Sequence, residues 1–305
     1  MSANYLAIQN GKYTPSTIEI EAIFGISTQD SDAYFAFEAE YTPFQKFVIG
    51  SLPRTDVVIR RDSTSDCISG LEVKLTALPD NETCTLGEDL YGSEIVVRPD
   101  TIVYLACSLI LSIGENISKY FGKVHISDWS DAQAVLPNIK SIVETIETLS
   151  LVAENKQKPF LLQPIWKTLG KSPSLADQCL DIFVWSDAGF ANFISKIANR
   201  SPKANSVTRQ TRTAIWLYKM LSDFCREGRF DHKDIIDQLS YNTRNDKAFA
   251  SSGKVTNSYM SCERLKRPII SKTEIKNIIL GGGQNLLSPE RRFDAIVFNS
   301  PELFK

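Results

Sequence analysis

The sequence predicts a mixed α/β protein, an α/β fold whose central mixed β-sheet is flanked by helices. Three observations lead there. A β-branched run at residues 55–59 is answered by an alternating run at 70–76, a long apolar pattern follows a proline at position 99, and short apolar runs bounded by turn residues stand at 160–162 and 181–185. The order hairpin, helix, strands suits a mixed sheet covered by helices. No internal repeat or low-complexity tract is visible, which removes solenoids and propellers.

Residues 34–41 alternate apolar and polar side chains, as a strand does, yet their aromatics also fit a helical face, and the pattern leaves both open. Thr42-Pro43 matches an N-cap followed by proline at the first helical position, predicting a short helix to about Val48 that Gly50 and Pro53 end. Thr55, Asp56, Val57, Val58 and Ile59 read as a strand, and the polar text at 60–66 as a turn. In the returning strand, Leu71, Val73 and Leu75 share one face while Glu72 and Lys74 share the other. Pro99 begins a buried helix through Ile113, residues 138–154 form another, and 211–224 an amphipathic one. The text at 240–262, rich in Ser, Asn and Lys, reads as loops that order on a ligand.

A chain of 305 residues can bury a substantial core, as one large domain or two fused lobes. The longest apolar run, 101–113, is too short to span a bilayer, and residues 1–5 lack the basic-then-apolar mark of a secretory signal, so a cytoplasmic protein is expected. Six cysteines without a Cys-x-x-Cys pair and two histidines argue against structural zinc. Net charge is −2, but residues 1–199 carry 15 basic and 25 acidic side chains whereas 200–276 carry 16 basic and 8 acidic. Such asymmetry fits either nucleic-acid contact through the later segment or a solvated charged surface.

Metal-assisted phosphodiester hydrolysis needs carboxylates to hold an ion and, often, an amine near the attacking water. Asp56 followed sixteen residues later by Glu72-Val73-Lys74 supplies both, on strands that a hairpin sets side by side. Hard oxygen ligands favour Mg²⁺. Acid-x-lysine also occurs at Glu154-Asn155-Lys156, Asp231-His232-Lys233 and Glu274-Ile275-Lys276, but only Glu72 lies on a strand paired to an earlier acidic one. Taken alone, Glu72 and Lys74 also fit a solvent-facing pair in an ordinary hairpin. Asp100 reads as a helix-capping residue, and Gly281-Gly282-Gly283 lacks the Lys-Ser/Thr of a phosphate-binding loop. Neither histidine has a serine or cysteine partner that suggests a hydrolytic triad.

The Asp56, Glu72, Lys74 pattern resembles the PD-(D/E)xK nuclease motif, with Thr55 where the motif usually has proline. The texts FQKFVIGSLPRTD at 44–56, GLEVKLTALPD at 70–80 and SEIVVRPDT at 93–101 resemble the HindVP family of type II restriction endonucleases, with fainter likeness at 163–168 and 183–187. The resemblance spans most of residues 4 to about 190. It implies a restriction-endonuclease-like core, Mg²⁺-dependent double-strand cleavage of a palindrome of the type GRCGYC, and a companion methyltransferase acting on the same site. By residue it implies that Asp56 and Glu72 ligate Mg²⁺, that the Val73 carbonyl adds a ligand, that Lys74 touches the attacking water, and that Glu38 is an auxiliary upstream acid. A palindrome implies a homodimer.

The expectation is therefore a nuclease core at 1–199 and a basic DNA-contacting region at 200–305, either separate or integrated with the core. Arginine to guanine is the commonest specific contact, and Arg209, Arg212, Arg244, Lys247, Lys254, Arg264, Lys266 and Arg267 form the candidate pool for phosphate and base contacts. Two other functions fit the same residues: a repair or recombination nuclease that reads DNA structure, and a DNA-binding protein without catalysis.

Overall fold

The computed structural model describes residues 2–9, 12–27, 29–73, 95–122, 124–154, 159–168, 175–200, 205–241 and 249–251. The chain divides into two compact units. The first comprises Met1–Lys74, Val96–Leu162 and Val184–Ser251. The second comprises Leu75–Ile95, Gln163–Phe183 and Ser252–Lys305, of which the described residues are Ile95 and stretches of two strands.

The described strands are β1 (Ser2–Gln9), β2 (Lys12–Glu19), β3 (Ala33–Ala39), β4 (Thr55–Arg61), β5 (Cys67–Val73), β6 (Ile95–Val97), β7 (Pro159–Thr168), β8 (Leu175–Ser186) and β9 (Phe249–Ser251). Seven of them form one sheet in the order β2-β1-β8-β7-β5-β4-β3. The sheet is mixed: β1 runs parallel to β8 and β5 parallel to β7, while β1–β2, β3–β4 and β4–β5 are antiparallel. The alternation at residues 34–41, open in the sequence, resolves to strand β3. The β1–β2 hairpin, closed by the pair Gln9 and Lys12, went unpredicted. Its signal is present as Asn10-Gly11, the dipeptide that favours a two-residue hairpin turn.

The described α-helices are α1 (Ile20–Phe24), α2 (Pro99–Ile113), α3 (Ala132–Val135), α4 (Ile139–Ala153), α5 (Asp187–Arg200), α6 (Arg209–Glu227) and α7 (His232–Gln238). Helices α2, α4, α5 and α6 pack on one another, and α5 packs on β1. Helix α2 starts as the sequence predicts, with Pro99 in its first turn, and Gly114 at φ 72° stops it. It is apolar all round, as a helix enclosed by protein must be. Ile102, Val103, Leu105, Ala106, Cys107 and Leu109 are all fully buried. With the 3-10 stretch that follows, Pro99–Tyr120 is long and apolar enough to cross a membrane, but 67% of its most apolar window is buried inside the protein, as in a core helix.

Helix α5 is capped by Ser186, whose Oγ accepts from the Gly189 amide at 2.9 Å. Helix α6 is capped by Thr208, which accepts from the Thr211 amide at 3.1 Å, and ends at Gly228 in the left-handed conformation. The sequence reads α6 as amphipathic within a basic, DNA-contacting segment. The helix is present, and it buries Thr211 through Tyr218, Met220 and Leu221 within the first unit. The boundary expected at 199/200 falls between α5 and α6, which pack together. The short helix expected from Thr42 to Val48 is a 3-10 helix, Thr42–Phe47, burying Phe44 and Phe47. Residues 74–76 of the returning strand, the glycine triplet at 281–283 and the loops of 252–262 lie outside the described residues.

Candidate active site

Three neighbouring strands, β3, β4 and β5, carry the predicted acids. Strand β4 opposes β5 with Val57 across from Leu71 and Val58 across from Gly70. Carried one residue further, that register sets Asp56 across from Glu72, and facing residues of an antiparallel pair project to the same side. On the other flank, Phe37 opposes Val57 and Ala39 opposes Thr55, so the position across from Asp56 is Glu38. The ladder skips that pair, and Glu38 has a φ of 48°, in the left-handed region. The three acids thus fall in one cross-strand row, with a break in the ladder at its edge.

Burial separates them. Glu72 is only 4% exposed, Asp56 is half-buried and Glu38 is exposed. The sequence allowed Glu72 to be an ordinary solvent-facing glutamate, and the structure excludes that. Thr101 Oγ1, from the first turn of α2, donates to Glu72 Oε1 at 3.3 Å. Thr55 Oγ1 lies 3.2 Å from Glu72 Oε2 and 2.9 Å from the Leu71 carbonyl, sharing its one proton between them. Each carboxylate oxygen therefore meets a hydroxyl. A carboxylate held in this way from two elements has its orientation fixed before any ligand arrives.

The approach to β4 is fastened as well. The Tyr104 hydroxyl donates to the Pro53 carbonyl at 3.0 Å and accepts from the Tyr41 amide at 3.1 Å, tying the end of β3 to the segment entering β4. Burial pushes this phenol well above its ordinary range, with the Cys107, Glu72 and Glu40 side chains adding to the shift, so it stays a hydroxyl. Gly70 in β5 lets Tyr41 approach closely. A Cβ there would stand 3.0 to 3.2 Å from the Tyr41 side chain.

The donor chemistry fits Mg²⁺ at Asp56 and Glu72. Among the described residues no three of His, Cys, Asp and Glu come together closely enough to hold a metal, so Glu38 is not gathered with the other two acids. Mg²⁺ keeps several waters and is commonly bound through only one or two carboxylates, which is the number the hairpin offers.

Lys74 lies outside the described residues, as do Arg244, Lys247, Lys254, Arg264, Lys266 and Arg267. Arg209 is half-buried in the first turn of α6. Arg212 corrects its expectation as a DNA contact, being 1% exposed, with its guanidinium 4.8 Å over the Trp216 ring and Nη1 donating to the Ser240 carbonyl. Its long stem and planar head fill core space. Two of the competing acid-x-lysine tripeptides take other roles. Asp231 caps α7 by accepting from the Lys233 and Asp234 amides, and Glu154 is the C-cap of α4. Asp100 sits in the first turn of α2.

Sequence reasoning missed the two threonines, because a hydroxyl that supports a carboxylate has no pattern of its own. It also missed a cleft of about 750 Å³ bordered by Glu38, Arg54, Arg98, Asp100, His232 and Lys233. The signal for Arg54 was its place two residues before Asp56.

The profile of the family described as HindVP restriction endonuclease matches residues 1–304. The chain is 51% identical over 306 aligned positions to the probable type II restriction enzyme HindVP of Haemophilus influenzae, covering 99% of this chain and 83% of that one. It is 41% identical to the type II restriction enzyme HgiDI of Herpetosiphon aurantiacus, covering 99% and 85%. No solved structure matches. A mixed α/β unit with an acidic hairpin and these relatives define the class as type II restriction enzymes, which are site-specific nucleases. The chain belongs to the HindVP restriction endonuclease family.

Proposed function

We propose that this protein is a Mg²⁺-dependent endonuclease that cuts both strands of DNA at a short palindrome of the type GRCGYC, acting as a homodimer alongside a methyltransferase that protects the same site. The observation that carries the reading is the pair Asp56 and Glu72, across from one another on β4 and β5, with Glu72 buried and held by Thr55 and Thr101. Two carboxylates facing one another across a hairpin, one of them oriented by hydroxyls, are the hard oxygen donors that a divalent cation in phosphodiester hydrolysis uses.

Asp56, Glu72 and the Val73 carbonyl are the ligands in this reading. Bound there, Mg²⁺ supplies a water of lowered pKa and offsets charge on the phosphate. Lys74 holds the attacking water and stabilises charge on the phosphorane, and Glu38 is the auxiliary acid at the exposed end of the row. Arg209, Arg244, Lys247, Lys254, Arg264, Lys266 and Arg267 supply DNA contacts in this reading. A two-fold dimer matches a palindrome, with each subunit cutting one strand.

Digesting a mapped plasmid with Mg²⁺ and sequencing the ends tests the reading. Discrete fragments ending within GRCGYC sites support it. A smear, or cutting only at branched or damaged DNA, would favour a structure-reading repair nuclease, and a persistent gel shift without nicks a binding protein.

A further inference from the structure

The cleft beside the acidic row has a charge pattern that the catalytic reading does not use. Arg54 and Arg98 are exposed on its border, from the segment entering β4 and from the residue preceding α2. Lys233 joins them from α7. Neither guanidinium has an ion-pair or hydrogen-bond partner among the described residues, whereas other basic side chains of the first unit do: Arg61 pairs with Asp30, Lys196 with Glu147, and Lys219 and Arg226 with Asp223. Glu38 borders the same cleft, and two of its other lining residues adjoin the site in sequence: Arg54 lies two residues before Asp56, and Asp100 directly precedes Thr101, which holds Glu72.

The wall carrying these cations is braced. His232 is 4% exposed and its Nε2 lies 2.9 Å from the Ser51 carbonyl, which as an acceptor requires a proton on that nitrogen. Lys233 Nζ donates to Ser51 Oγ at 3.1 Å. The Ile49 amide donates to the Phe230 carbonyl at 2.9 Å, and the Phe230 amide to Phe47 at 3.0 Å. Four hydrogen bonds thus join the 47–51 segment to the residues leading into and beginning α7, holding Ser51 and Lys233 in a fixed relation to Arg54.

We infer that Arg54, Arg98 and Lys233 seat backbone phosphates of duplex DNA flanking the phosphate to be cut, aligning the strand past the acidic row. The inference rests on the nuclease reading and names the positioning groups of that same site. Unpaired guanidiniums suit a phosphodiester, whose oxygens match their fork of donors. Asp100 and Asp237 also border the cleft. They keep it from being uniformly cationic, so it holds a chain only where arginine meets phosphate. The three cations come from three separate chain segments, which explains why no basic run marked them in the sequence.

The test is the salt dependence of binding, read by anisotropy of a labelled duplex containing GRCGYC with Ca²⁺ in place of Mg²⁺. Each phosphate that the protein no longer neutralises lowers the slope of log K against log salt by about 0.9. Arg54→Ala and Arg98→Ala are each expected to lower it by about that much, Arg98→Lys to restore it, and Lys140→Ala, an exposed lysine on α4, to leave it unchanged. Slopes equal to wild type in both alanine variants overturn the inference, even if the enzyme cuts as proposed. Lowered slopes in an enzyme that cuts nothing with Mg²⁺ would support it as a DNA seat while refuting the catalytic reading.

Discussion

Replacing Thr101 by valine removes one hydroxyl at nearly constant volume, and the structure says what that hydroxyl does. It donates to Glu72 Oε1 at 3.3 Å from a fully buried position. Hydrogen bonds to charged groups contribute about 1.5–3 kcal/mol, and this one is longer than the usual O–H···O range, so a cost of about 1 kcal/mol is expected. For a chain of this size that corresponds to a fall in Tm of roughly 1–2 °C. The larger effect concerns the metal. Groups that orient a ligating carboxylate typically contribute about 10–100-fold in affinity or activity, and with Thr55 still in place the lower end applies. The Mg²⁺ concentration for half-maximal cleavage should therefore rise about tenfold, with the plateau recovered at high Mg²⁺. Cleavage rates across a Mg²⁺ titration, with thermal unfolding in parallel, measure both. Thr145→Val is the control, since Thr145 is also buried but its hydroxyl bonds its own helix at Ser141. It should move Tm without moving the Mg²⁺ midpoint. A Thr101→Val enzyme with the wild-type Mg²⁺ curve would refute the view that this threonine holds a metal-binding carboxylate.

Gly70→Ala pushes a methyl group against Tyr41, with a clash at 3.0 Å from its Cγ. Overpacking of this kind costs about 1–3 kcal/mol, so Tm should fall by several degrees in differential scanning, and the displaced β5 should lower cleavage as well. Arg212→Ala should destabilise by about 2–4 kcal/mol through weaker packing on Trp216 and removal of the bond to Ser240, while the salt slope of DNA binding stays at the wild-type value. A lowered slope would return Arg212 to the DNA-contacting set. Lys74→Ala is expected to abolish cutting while leaving specific binding in Ca²⁺ largely intact, and near-normal cleavage by that variant would remove Lys74 from the mechanism.

Much of the frame is legible in the residues because it follows local rules. The β-branched text of 55–59, the proline before α2 and the periodicity of 138–154 each specify an element whose described bounds agree within a few residues. The β1–β2 hairpin was equally local, and Asn10-Gly11 was its signal. Helix α6 was legible as a helix but not as core. Its arginines and lysine lower its average hydropathy, and only the packing of α2, α4 and α5 around it shows that Arg212 is enclosed. At the site, the acids were found by strand spacing and by resemblance. Thr101 was not, because its hydroxyl reaches Glu72 across 29 residues of chain. The cleft cations share that difficulty. Arg54, Arg98 and Lys233 are joined by tertiary structure alone, and Arg98 stood in the sequence two residues before an aspartate that reads as a cap.

Catalysis as proposed requires Asp56 and Glu72 to share one divalent cation. A crystal of the enzyme with an uncleaved duplex and Mn²⁺, mapped by anomalous scattering, probes that sharing without intermediaries. The expected result is a peak about 2.1 Å from a carboxylate oxygen of each residue, absent in both Asp56→Asn and Glu72→Gln. A peak held by other side chains, with the Asp56 and Glu72 carboxylates on opposite faces of the sheet, would contradict it.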